Sequence, residues 1–147
     1  MTRLADMLHL TLEDVAARVA TLVPQPVYFD EPITHPSFDG DAFSDVGTST
    51  KIENTSWNKP IPSTAKALRV EIAIRDSGSS GSSGIWFAVG PSSTYYYALV
   101  AEANDRPNDT YAYAFGWVPC TDGDLYYQCA ASGADTLDAI LRVWGYV

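Results

Sequence analysis

Catalysis needs nucleophiles, bases or metal ligands within reach of one another, and this chain of 147 residues offers few. Its two histidines are His9, in an amphipathic N-terminal stretch, and His35, in a proline-rich one. Neither falls in the alternating segments that would hold a general base rigidly, and a Ser-His-Asp arrangement has no local support. There is no Gly-rich phosphate loop, no HExxH and no carboxylate pair on a common strand face. Asp122 and Asp124 bracket a glycine and read as the solvated ends of a turn. Asp39, Asp41 and Asp45 lie near Gly40, but the further spaced ligands and terminal glutamate of a calcium loop are missing, so these too read as turn residues. Cys120 and Cys129 flank TDGDLYYQ, which reads as a hairpin turning at Asp122-Gly123 and sets Cys129 opposite Gly116 rather than Cys120. Two reduced, structural cysteines are therefore expected, and without a nearby histidine they cannot complete a zinc site. The expectation is a protein that is not an enzyme and uses no metal or cofactor.

The aromatic residues suggest binding instead. If Leu125, Tyr127 and Cys129 face a core, Tyr126 faces out; if Leu137, Ala139, Leu141 and Val143 face in, Arg142 and Trp144 face out. Trp86 is turned away from Ile85, Phe87 and Val89 in the same manner. Trp86, Tyr126, Arg142 and Trp144 are thus the candidate ligand or interface residues, since outward rings on a flat sheet stack on sugars or sit at the middle of a subunit contact. Of Tyr95, Tyr96, Tyr97, Tyr111, Tyr113, Phe115 and Trp117, more than half are expected to serve core and cross-strand packing. The sequons at Asn54 and Asn108 read as chance occurrences.

The elements that position these residues are organised around residues 67–89. Leu68, Val70, Ile72 and Ile74 alternate with Arg69, Glu71, Ala73 and Arg75, a half-buried strand; 85–89 repeats the pattern after SGSSGSSG, a native surface loop. Further strands are expected at about 45–53, 95–101, 111–118, 125–131 and 136–146, with turn residues and no helical pattern between them. That predicts an all-β fold, an antiparallel β-sandwich of jelly-roll type, with a short N-terminal helix and an extended arm. The helix rests on a seam at Met1, Ala5, Leu8, Leu12, Val15, Val19 and Leu22, which Thr11 and Asp14 can break as an N-cap and Pro24 and Pro26 end. Leu8, Leu12, Val15, Val19 and Leu22 either pack the helix on its own domain or form a coiled coil that makes an oligomer. Four prolines between 24 and 43 give an arm with little alternation, so residues 1–43 read as an attachment and oligomerisation region and 44–147 as the sandwich. Removal of 1–43 is expected to leave a folded sandwich.

Nine basic against eighteen acidic residues leave a net charge of -9, which repels a phosphate backbone, so no nucleic-acid partner is expected. No stretch reaches the length of a membrane span, and the first residues lack a signal-peptide pattern, so the chain reads as cytoplasmic or released by lysis.

The ending TLDAILRVWGYV resembles the terminal strand of bacteriophage virion proteins, and IPSTAKALRVEIAIRDSGSSGSSGIWFAVGPSSTYYYA is similar to the β-sandwich modules of phage fibre, tail and capsid-decoration proteins. The resemblance covers roughly residues 44–147 and carries no catalytic motif. It implies a virion structural protein assembled in the host cytoplasm, commonly a homotrimer that also contacts other virion proteins. An N-terminal region would attach, and the sandwich would face solvent as a fibre or capsid decoration (cement) component. A carbohydrate-binding or receptor-binding knob for a host-surface glycan is the alternative for the same aromatics.

Overall fold

The computed structural model describes residues 11–78 and 84–147. In order the elements are α1 (Leu12–Leu22), β1 (Val27–Phe43), β2 (Val46–Ile52), β3 (Ala67–Asp76), β4 (Trp86–Gly90), β5 (Leu99–Glu102), β6 (Ala112–Pro119), β7 (Leu125–Ala130) and β8 (Leu137–Tyr146). They form two four-stranded sheets, β1-β8-β3-β6 and β2-β7-β4-β5, in which every pairing is antiparallel. First pairs with last, second with seventh, third with sixth and fourth with fifth: one long two-stranded ribbon rolled on itself, the jelly roll.

Alternation drives the roll. Leu68, Val70, Ile72 and Ile74 from β3 and Leu137, Leu141 and Val143 from β8 are fully buried against Phe87 and Val89 of β4 and Leu125 of β7. Each such side chain contributes about 1.5–3 kcal/mol by leaving water.

The arm is a strand. Residues 27–43 form β1 and pair with β8 from Val27↔Tyr146 to Phe43↔Leu137, so the sandwich begins at Val27 and not at residue 44. Two prolines are tolerated because β1 is an edge strand, hydrogen-bonded on one side only, and the register slips at them. Pro32 lies in the slip between Tyr28 and Ile33, Pro36 in that between Thr34 and Asp39, and Gly40, with φ of 118°, in that between Asp39 and Ala42. These bulges turn Ile33, His35 and Phe38 inward, where Phe38 meets Phe43, Phe87 and Tyr127 at ring-centroid distances of 5.2, 5.4 and 4.8 Å.

The expected tight turn at Asp122-Gly123 is present, bridged by Thr121 and Asp124, but it does not pair β6 with β7 as a hairpin. β6 belongs to one sheet and β7 to the other, so the left-handed pair Asp122 and Gly123 (φ 57° and 76°) turns the chain across the sandwich. Cys120 and Cys129 are free, buried thiols, each pushed up to about 11 by burial.

Thr11 caps α1 as expected. Its hydroxyl accepts the Asp14 N–H at 3.1 Å, while the Asp14 carboxylate takes the Thr11 N–H at 2.9 Å. Of its large apolar residues whose side chains are described, Leu12 is 89% exposed and Val15 is also exposed. Leu8, with the first half of the seam, lies outside the described residues, as do the side chains of Val19 and Leu22 and most of the serine-glycine loop, 79–83. Among the described residues no helix is long and apolar enough to cross a membrane.

Candidate functional site

The outer face of the β1-β8-β3-β6 sheet carries the densest set of exposed rings. On β6 the alternation runs Tyr113, Phe115, Trp117 outward and Ala112, Ala114, Gly116, Val118 inward, with Tyr111 just before the strand and with Tyr113 66% and Phe115 51% exposed. These aromatics do not serve the core. At this end of the sandwich β6 closes on β5, so its inner positions must be small; a Cβ on Gly116 would lie 3.2 Å from Leu99 Cδ1. Ala112, Ala114 and Gly116 put little bulk on the inner side, Val118 is fully buried there, and the rings go outside.

Charged groups of β3 and β8 lace this face. Glu71 accepts from Arg142 Nη1 at 3.0 Å on one oxygen and from Trp144 Nε1 at 2.6 Å on the other. Two of the expected site residues are thereby fixed side by side, by a carboxylate that the sequence had marked only as outward. Arg75 pairs with Asp138 at 2.7 Å and lies 5.3 Å from the Tyr111 ring centre. Arg69 sits between two rings, 4.7 Å from the centre of Phe115 and 5.2 Å from that of Tyr28, and Tyr28 in turn meets Trp117 edge-on at 6.2 Å. Tyr28, Phe29, Arg69, Glu71, Phe115 and Trp144 enclose an open cleft of about 350 Å³.

Trp86 and Tyr126 lie elsewhere, on the outer face of the other sheet. Trp86 is level with Ala130 and Tyr126 with Gly90, so the two stand four positions apart along β7. Trp86 stacks on Tyr96 at 6.4 Å and 13°, beside exposed Tyr95 and Tyr97. The four candidates thus divide between two opposite faces, because β4 and β7 belong to one sheet and β8 to the other.

The acidic residues around turns are engaged in the fold. Asp124 pairs with Lys51 at 2.7 Å and accepts the Asn54 N–H at 2.8 Å, and Asp45 accepts the Ala131 N–H at 2.6 Å. The Asn54 and Asn108 amides donate to the carbonyls of Asp122 and Gly78. Among the described residues no three His, Cys, Asp or Glu side chains converge to hold a metal ion.

His35 is buried between Phe38 and Trp57. Its Nδ1 accepts the Ser37 N–H at 3.1 Å, which leaves the proton on Nε2 to be donated to Ser56 Oγ at 2.9 Å; that hydroxyl donates onward to the Glu53 carbonyl at 2.6 Å. Burial lowers its pKa, so the neutral ring is the folded form. The unfolded chain then binds the extra proton first. Stability is full above the ordinary histidine value of about 6.5 and falls as pH drops below it, by at most about 1.4 kcal/mol per pH unit. Denaturant midpoints at pH 7.5 and 5 are expected to fall for the native chain and to fall less for His35→Gln. Equal losses would place the acid sensitivity elsewhere.

The sequence matches no protein-family model and no curated protein.

Proposed function

We propose that the chain is a non-enzymatic structural protein of a bacteriophage virion, a homotrimeric fibre or capsid-decoration component in which α1 gathers the copies and the jelly roll projects. The observation that carries this reading is the exposure of the two large apolar α1 residues whose side chains are described, Leu12 and Val15. Both face solvent, and a helix of 11 residues is marginal until it finds a partner. The β-sandwich architecture and the resemblance of the 136–147 ending to virion proteins agree with it, and jelly rolls of this kind recur in viral capsid and lectin domains. Fold alone assigns no function. Electron microscopy of particles of the encoding virus, labelled with an antibody raised against the jelly roll, is expected to place label on the particle exterior. Unlabelled particles in a lysate rich in the free protein would refute the virion assignment.

A second reading, that the jelly roll is the receptor-binding knob of such a fibre and contacts a host-surface glycan, is favoured by the cleft between Tyr28, Phe115 and Trp144.

A further inference from the structure

We infer that the cleft beside Arg69 binds a sugar ring carrying a carboxylate, such as a hexuronate of an acidic surface glycan; the inference rests on the receptor-binding reading above. Arg69 is an oriented cation with its charge unspent. The rings of Phe115 and Tyr28, at 4.7 and 5.2 Å, hold its guanidinium in place, yet among the described residues it makes no ion pair with a carboxylate. The carboxylate that shares the cleft is already committed: one oxygen of Glu71 is taken by Arg142 and the other by Trp144. A guanidinium without a carboxylate partner, held among exposed rings on a chain of net charge -9, is a site that can accept an outside anion.

The remaining walls decide which anion. Guanidinium matches a planar carboxylate through two parallel N–H donors. Inorganic phosphate or sulfate would leave Phe115, Trp144 and Tyr28 unused, whereas the apolar C–H face of a pyranose stacks on them. A volume of about 350 Å³ suits a small ligand rather than a peptide segment. A nucleic acid, with a charge on every residue, is opposed by the rest of the acidic surface, while a glycan with scattered carboxylates can offer one to Arg69.

The test uses the full chain and three probes, read by isothermal calorimetry and by the fluorescence of the tryptophans. The probes are a galacturonic acid trimer, the neutral galactose trimer, and a short peptide with a free C-terminal carboxylate. The uronate is expected to bind at least about tenfold more tightly than the neutral trimer and to weaken with added salt. Arg69→Gln should lower its affinity about tenfold to a hundredfold, and Arg69→Lys less, because it keeps the charge and loses the fork. Phe115→Ala, which leaves every hydrogen bond of the sheet in place, should lower it about twofold to fivefold; it serves as the second variant if Arg69→Gln does not fold. Equal binding of the neutral trimer, or no change in Arg69→Gln, overturns the acidic specificity and leaves the glycan reading standing. If neither sugar binds, both fall. Tighter binding of the peptide than of the uronate overturns the sugar assignment. Loss of the assembly in Phe115→Ala without any sugar binding makes the face a contact between copies and overturns it as well.

Discussion

A chain that starts at residue 44 is expected not to fold, whereas one that starts at Gln25 is expected to fold as well as the whole. The first deletion removes β1 and with it the only partner on that side of β8, Ile33 and the aromatic hub Phe38. Losing a buried phenylalanine from such a cluster costs about 3–5 kcal/mol and a buried isoleucine about 2–5. A small domain is stable by only about 5–15 kcal/mol in all. The second deletion removes α1, whose Leu12 and Val15 are exposed and not packed on the strands. Circular dichroism and urea denaturation of the two truncated chains check this. A cooperative transition in the chain from 44 would show that β1 is dispensable.

The second large effect is expected at Asp76, the last residue of β3. Its buried carboxylate accepts the N–H groups of Gly78 at 2.8 Å and Ser132 at 3.0 Å and the hydroxyls of Ser132 and Thr136, so it ties β3 to the turn that leads into β8. Burial alone would raise its pKa. The hydrogen bonds from Ser132, Gly78 and Thr136 outweigh that and hold the carboxyl below the ordinary range. Its stabilisation is therefore present above the unfolded value of about 3.9 and is lost as pH falls through the lower folded one. Asp76→Ala strands several donors at once and should cost about 3 kcal/mol or more at neutral pH. A loss below about 0.5 kcal/mol, the range of an ordinary surface change, would contradict this account.

Strict alternation made most of this fold legible in the sequence. β3 and β8 read correctly because each buries one face and wets the other, and the sandwich followed from seven such segments without helices between them. β1 was not legible, because its alternation is broken at Pro32, Pro36 and Gly40, where an edge strand can bulge and a central one cannot. The hairpin reading of 120–129 failed for a different reason: Asp-Gly marks a turn but does not say whether the chain returns to the same sheet or crosses to the other. At the candidate site, Arg142 and Trp144 were found by parity alone. Phe115 and Trp117 were missed because large rings were assigned to the core, and Arg69, although on the outward parity of β3, was missed because nothing in the sequence showed which rings would stand beside it. The run YAYAFGWV held the signal: small residues on one parity, aromatics on the other, so the small face had to be the one pressed against a neighbour. The Gly145 of the closing WGYV has a similar cause. A Cβ there would come within 2.2 Å of the Val27 carbonyl, so β1 can lie across the end of β8 only over a glycine.

The central claim, the proposal that α1 with its exposed Leu12 and Val15 gathers copies of the chain, is tested most directly by multi-angle light scattering of the full chain at tens of micromolar. The account predicts three times the mass of one chain, and a single chain mass once residues 1–24 are removed. A monomer with its N-terminus intact would contradict it.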